Sequence, residues 1–551
     1  MSHSKTTRRS FLKTVGAGLS TLALSSPSVS SAETTKKPNI VLMMADDMGY
    51  SDIGCYGGEI RTPNLNQLAA QGIRFTQFYN TARCCPTRAS LMTGLYPHQA
   101  GMGWMTVRDL GREGYRGDLN HRCVTIAEVL KQAGYGTYMS GKWHLTFDEY
   151  WDGPKDSWPI QRGFDRFLGT INGSGSFYTP ETLTRDNTRI QAPAQGFYYT
   201  DAISDHACGF IAEHCQSKPD QPFFLYTAFT APHWPLHAKQ EDIAKYKDQY
   251  LKGWDALRRE RHARMIEMGI IDKGCALTTR EERITAWEDV NQEKKELMAL
   301  KMAIYAAQVD CMDQGIGRIV ATLQQQGQLD NTLIFFLSDN GGCAETGVWG
   351  FDNKPDGTLG ENSSFSSYGA SWANASNTPF RRYKHWVHEG GISTPLIVHW
   401  PARIKEAGTF RRQSGHVIDI MATCVDVAGA TYPAEFKGHA IKPLEGKSLV
   451  PAFGNGHIER QAIYWEHEAN RAIRVGKWKL VSRYMSRDNL GPWELYDMET
   501  DRSETKDLAQ EYPERVKEFA AMWQRYAERA DVLPLDGRSW NERLRNPTNT
   551  H

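Results

Sequence analysis

At 551 residues the chain can bury large cores, and length alone allows roughly two to four domains. Its 64 basic and 64 acidic residues balance, which argues against nucleic acid or a charged membrane surface as a partner and leaves any anion site to local placement. Ten cysteines, none in a Cys-x-x-Cys pair, argue against zinc and iron–sulfur centres.

The amino end carries Thr7-Arg8-Arg9-Ser10-Phe11-Leu12-Lys13, an apolar stretch from Val15 to Leu24, and small residues at Ser30-Ser31-Ala32. This resembles a twin-arginine export signal with its cleavage site. The apolar stretch falls well short of the ~18–20 residues of a membrane span. Residues 1–32 are expected to be a signal peptide read by twin-arginine export machinery. The mature chain is expected to be periplasmic or extracellular, with no membrane span.

Asn39 to Ala45 is a continuous apolar run, read as a strand buried on both faces of a parallel sheet, and Asp46-Asp47 follow it directly. Thr62-Pro63 opens a helix that Gly72 closes, and Ile73-Arg74-Phe75 leads on. In Cys84-Cys85-Pro86-Thr87-Arg88-Ala89-Ser90-Leu91-Met92-Thr93-Gly94, Pro86 suits a first helical turn and Gly94 a stop. Cys84 is thereby placed at a helix N-terminus beside Arg88, where anions are favoured. Thr125 to Glu128 reads as a capping box for a helix ending at Gly134.

Three more strands end in polar groups. Tyr135 to Ser140 precedes Gly141-Lys142-Trp143-His144, Phe223 to Phe229 precedes Ala231-Pro232-His233, and Thr332 to Leu337 precedes Ser338-Asp339-Asn340-Gly341-Gly342. Open α/β sheets place ligands at the carboxyl ends of their strands, so four such ends argue for one shared site. Residues 240–326 read as mostly helical and feed the Asp339 strand as a crossover. Residues 343–380 read as a long loop, followed by Phe380-Arg381-Arg382-Tyr383-Lys384 and a strand at Leu396 to Trp400. From about residue 456, short alternating runs suggest a small antiparallel sheet, then a helix from Pro513 to Ala530 and a loose tail after Asp531. The expected fold is therefore α/β, a large, mostly parallel central sheet flanked by helices, with a smaller C-terminal antiparallel sheet plus helix. Residues 33–455 make the first domain and 456–551 the second.

Asp46, Asp47, Asp339 and Asn340 offer an all-oxygen set suited to a hard cation such as calcium or magnesium; each alone reads as a turn residue rather than a ligand, but together, each after a buried strand, they favour metal. An isolated Cys-X-Pro-X-Arg would by itself read as a buried cysteine pair, or a vicinal disulfide, at an ordinary helix start. The company it keeps changes the reading. Cys84-Cys85-Pro86-Thr87-Arg88 followed by Thr93-Gly94 resembles the signature of the type I sulfatases, of the alkaline phosphatase-like superfamily, with Thr87 where serine or alanine is commoner. Lys142-Trp143-His144 and Ala231-Pro232-His233 match motifs of the same family, and the likeness extends over the whole plan of the chain.

The resemblance implies that Cys84, not Cys85, is oxidised by a formylglycine-maturing enzyme to an aldehyde whose hydrate is the nucleophile. Because twin-arginine substrates cross folded, that oxidation is expected before export. The resemblance also implies one calcium ion on Asp46, Asp47, Asp339, Asn340 and the modified Cys84. Arg88, Lys142 and Lys384 would clamp the anion, His233 would protonate the leaving alcohol with help from Lys384, and His144 would deprotonate the second hydroxyl. The implied activity is release of sulfate from sulfate esters, aryl or carbohydrate. The rival readings are a phosphonate or phosphate ester hydrolase of the same superfamily and a non-catalytic protein that holds sulfated glycans. His98, His237 and His385 are read as structural, while His467, Glu468 and Asn470 could reach the site from the small domain.

Overall fold

The computed structural model describes residues 36–147 and 153–548; the expected signal peptide lies outside them. Eleven strands form one sheet. In chain order they are β1 (Asn39–Ala45), β2 (Ile73–Tyr79), β3 (Gly136–Gly141), β4 (Arg166–Thr170), β5 (Leu183–Arg185), β6 (Thr188–Arg189), β7 (Phe223–Ala228), β8 (Thr332–Ser338), β9 (Ser393–His399), β10 (Thr409–Arg411) and β11 (Gly415–His416). They lie in the order β10-β2-β9-β8-β1-β7-β3-β4-β5-β6, with β11 also beside β2. The inner strands β8, β1, β7, β3 and β4 run parallel. β9 runs antiparallel to both its neighbours, β2 and β8.

Every residue of β1 is buried, as its unbroken apolar run requires. Val41 and Met43 join one core, Ile40 and Leu42 the other. The first core is roofed by helices Pro63–Gln71, Tyr199–Ser217 and the 34-residue Gln292–Gln325. The second is roofed by Cys84–Thr93, Ile126–Gln132 and Ile418–Ala428. The capping box at Thr125 forms as expected: Glu128 N–H donates to Thr125 Oγ1 at 3.1 Å, and Thr125 N–H to Glu128 Oε2 at 2.9 Å.

After a two-residue hairpin of β12 (Glu435–Phe436) and β13 (His439–Ala440), a separate antiparallel meander follows. It comprises β14 (Ile463–His467), β15 (Asn470–Val475), β16 (Trp478–Ser482) and β17 (Trp493–Asp497). Ile473 and Leu480 of this sheet pack against Phe519 and Trp523 of helix Pro513–Arg529. Between the sheets sits a fully buried ionic group. Lys479 Nζ reaches Glu389 Oε1 at 2.9 Å and Glu504 Oε1 at 2.8 Å, and Ser393 Oγ donates to Glu389 Oε2 at 2.8 Å.

The tail departs from expectation. Residues 532–548 are not loose: Ser539 and Glu542 close a capping box on a helix Trp540–Arg545. Arg543 Nη1 donates to Glu468 Oε1 at 2.7 Å, and Arg543 Nη2 to the Asp536 carbonyl at 2.6 Å.

Candidate active site

Strand register sets the site. Ala45 pairs with Ser338 on one side of the sheet centre. Met44 and Gly141 both pair with Ala228 on the other. The residues that follow, Asp46, Asp339 and Lys142, therefore emerge side by side at the carboxyl edge. Main-chain bonds hold them there, Asp339 N–H to Ala45 O at 3.2 Å and Lys142 N–H to Ala228 O at 2.8 Å. His233 arrives in the turn after β7, where His233 N–H donates to Thr230 O at 2.9 Å.

Helix Cys84–Thr93 points its N-terminus at this edge, with Cys84 in its first turn. Gly94 ends it in the left-handed conformation (φ 69°), donating its N–H to Ser90 O at 2.9 Å. Thr87 fits its position: its Oγ1 accepts the Thr81 N–H at 3.0 Å. Lys384 comes from the loop before β9. Asp47 (φ 65°) and His144 (φ 56°) occupy the left-handed region that non-glycine residues avoid.

All ten expected residues converge. Lys142 Nζ donates to Asp46 Oδ2 at 2.5 Å. Lys384 Nζ lies 2.8 Å from Asp47 Oδ1, and Asn340 Nδ2 donates to the same oxygen at 2.7 Å. Arg88 Nη2 donates to Asp339 Oδ2 at 2.9 Å, and its Nη1 to the Lys142 carbonyl at 3.0 Å and the Tyr226 hydroxyl at 3.4 Å. His233 donates from Nδ1 to the Trp234 carbonyl at 2.6 Å, which turns Nε2 toward Lys384 Nζ (3.4 Å) and Asp47 Oδ2 (3.3 Å). His144 Nε2 lies 3.2 Å from Cys85 Sγ and belongs to one cluster with both cysteines.

Electrostatics separates the neighbouring thiols. The Cys85 S–H, together with Lys142, Lys384 and His144, holds the Cys84 thiol well below the usual range despite burial. Burial pushes Cys85 well above it. Of the pair, Cys84 is therefore the more readily ionised, and the thiolate is the form that reacts. Burial brings both His144 and His233 down to about 4, so both imidazoles are neutral at neutral pH. Burial resists ionisation of Asp47, but His233 and Lys384 prevail and hold it low. At Asp46 and Asp339 burial wins and raises both.

These groups fit a divalent cation. Asp46 Oδ1 and Asn340 Oδ1 are buried without a hydrogen-bond partner. Three carboxyl groups and the Cys84 thiol meet here, with Arg88, Lys142 and Lys384 around them. The donors are hard oxygens, matching calcium or magnesium. A cation among them would reverse the burial penalty on Asp46 and Asp339.

Cys84, His144, His233 and Lys384 open into a cleft of about 440 Å³. Its walls bring residues the sequence did not single out, among them Arg83, Glu345, Trp234 and Trp540. Arg83 Nη1 pairs with Glu345 Oε1 at 2.7 Å, and Trp234 Nε1 donates to Glu345 Oε2 at 3.1 Å. Neither partner could be paired by reading, since 262 positions of chain separate Arg83 from Glu345. Glu468 and His467 do not line the cleft. Glu468 instead ties His385 (2.9 Å) to the tail, and His467 is buried with both ring nitrogens unpaired. His98 and His237 have structural partners, Glu466 Oε2 at 2.7 Å and the Ser364 carbonyl at 2.9 Å.

A mostly parallel sheet whose carboxyl edge holds the Cys84 thiol, three cations and a cation cradle fits a hydrolase of anionic esters, on the alkaline phosphatase-like plan. The sequence model of the sulfatase family matches residues 38–430, and that of the N-sulphoglucosamine sulphohydrolase C-terminal region matches residues 381–530. The chain belongs to the sulfatase family and is a sulfuric ester hydrolase. It is 34% identical over 535 residues to an uncharacterized sulfatase of Schizosaccharomyces pombe, covering 91% of this chain and 95% of that one. It is 36% identical over 441 residues to an arylsulfatase of Klebsiella aerogenes, covering 76% and 92%. The crystal structure of Ps i-CgsB in complex with k-i-k-neocarrahexaose superposes with a TM-score of 0.65 at 27% identity, covering 92% and 97%.

Proposed function

We propose that the protein releases sulfate from sulfated carbohydrates after twin-arginine export, with Cys84 matured to formylglycine and a calcium ion held by Asp46, Asp47, Asp339, Asn340 and the modified Cys84. The observation that carries this reading is the convergence of Cys84, at a helix N-terminus, with the buried cations Arg88, Lys142 and Lys384 on one sheet edge. The carbohydrate class draws support from the oligosaccharide in the complex of the similar Ps i-CgsB structure.

Oxidised Cys84 would supply a geminal diol, one hydroxyl to attack sulfur and a second through which the aldehyde re-forms. Calcium would supply positive charge against the sulfate oxygens. The remaining work falls to side chains already in place. Arg88, Lys142 and Lys384 form a fixed array of donors for an anion, which needs no reorganisation as charge develops. His144, neutral and beside Cys84, accepts a proton. His233 presents Nε2 beside the Lys384 ammonium, so a proton held between these atoms is the one delivered to the departing oxygen.

The test is the mass of the tryptic peptide from Cys84 to Arg88, taken from protein made in its native host. Formylglycine at Cys84 is expected, with Cys84→Ala lowering sulfate release from aryl sulfates by at least about a thousandfold. Two intact thiols in an active enzyme would sink the maturation reading. Faster cleavage of matched phosphate esters would sink the substrate class.

A further inference from the structure

We propose that Trp540, carried by the carboxyl-terminal segment, is the binding subsite for the leaving group. A flat ring with an apolar face, either an arene or the C–H face of a pyranose, stacks on its indole while the sulfate lies among the charged residues below. The proposal deepens the sulfatase reading and rests on it.

Trp540 lines the same cleft as Cys84, His233 and Lys384. The floor of that cleft is charged, whereas Met105, Val107, Trp234 and Trp540 add apolar surface to its walls. A sulfate ester has the same two-part character, an anion joined to a less polar body. Of the tryptophans among the described residues, Trp540 alone falls in the exposed class, at 38%. An indole left open to solvent in a catalytic cleft is surface a ligand can cover.

The ring is also held still. It lies 5.0 Å, centroid to centroid, from Trp104, which is buried. Trp104 Nε1 donates to Glu468 Oε1 at 2.7 Å. The same carboxylate takes Arg543 from the Trp540 helix at 2.7 Å and His385, the neighbour of Lys384, at 2.9 Å. One carboxylate thus fixes the platform relative to the loop that delivers a catalytic lysine, so little ordering cost remains when substrate binds. Trp540 also stands beyond both regions matched by the family models, 38–430 and 381–530.

The test compares matured, full-length enzyme with Trp540→Ala and Trp540→Phe, reading KM for p-nitrophenyl sulfate and the inhibition constant of inorganic sulfate, which has no ring to stack. The alanine variant is expected to raise KM by roughly tenfold. Inorganic sulfate should inhibit it as it inhibits the wild type, and phenylalanine should restore most of the loss. A KM for Trp540→Ala within about twofold of wild type would overturn the proposal. So would a sulfate inhibition constant rising in step with KM, because the change would then lie in the anion site. Wild-type enzyme that releases no sulfate would count against the sulfatase reading itself and is read separately.

Discussion

Asp46, Asp339 and Lys142 meet because each is the first residue after a buried strand and the registers of those strands coincide. That much was legible in the sequence: an apolar run followed at once by a polar group has few other readings. Lys384 was legible only through family resemblance, since it sits in a loop that no periodicity fixes. Trp540 carried no chemical signal, because an isolated tryptophan beyond the last long helix resembles any other. Among residues outside the site, His237 offers a clean physical test. Its Nε2–H donates to the Ser364 carbonyl at 2.9 Å, its Nδ1 accepts the Phe177 N–H at 3.4 Å, and burial brings it from 6.5 down to about 4. The unfolded chain takes up this proton near pH 6.5 and the folded chain not until about 4. The stability contributed by neutral His237 is therefore complete above 6.5 and lost as pH falls through this window. In His237→Gln, the pH slope of unfolding free energy across that window should be shallower by up to about 1.4 kcal/mol per pH unit. Urea denaturation at successive pH values reads it directly, and identical slopes in both proteins would refute the assignment.

At the scale of elements, helices and strands declared by apolar period or by a cap stand where the sequence puts them. The Thr125 box and β8 (Thr332–Ser338) are examples. The short tail helix was missed although Ser539-Trp540-Asn541-Glu542 carries the spacing of a capping box. Six residues are too few to show a period, and only docking through Arg543 makes them a helix. The β3–β7 pair shows how element packing governs chemistry. Gly141 lies at φ 116°, and a Cβ there would come within 1.9 Å of the Ala228 carbonyl oxygen, the acceptor that fixes Lys142 N–H. Gly141→Ala must push these strand ends apart and displace Lys142. A displacement near 1 Å is expected to lower kcat by about a hundredfold, with the overall circular dichroism spectrum retained. An alanine variant of wild-type kcat would show that Lys142 does not depend on this close approach.

For the whole molecule, the two sheets meet across buried charge rather than through a linker. Residues from Lys37 onward form one compact unit. Lys479 is fully buried between Glu389 and Glu504, and Tyr79 from β2 donates its hydroxyl to Glu389 Oε2 at 3.2 Å. Removing one partner of such a group leaves unpaired charge out of water, so Lys479→Met is expected to destabilise the protein by about 3–5 kcal/mol. Both sheets should unfold together at a lower urea midpoint. Separate transitions of the large and small sheets would contradict this coupling. The change in texture near residue 456 marked the second sheet in the sequence, but the ionic seam was not readable, because its members come from distant parts of the chain.

The burial of Cys84 also has a consequence for synthesis. In the finished molecule it is only 1% exposed, at the foot of a cleft that Trp540 helps to enclose. The ribosome releases Cys84 early and the segment carrying Trp540 late. Until the chain folds around it, the thiol is within reach of an enzyme too large to enter the cleft. Afterwards it is open only to molecules small enough to enter the cleft. An enzyme that changes this cysteine is therefore expected to act before the chain around it has folded, and the fully folded precursor is expected to be a poor substrate for it.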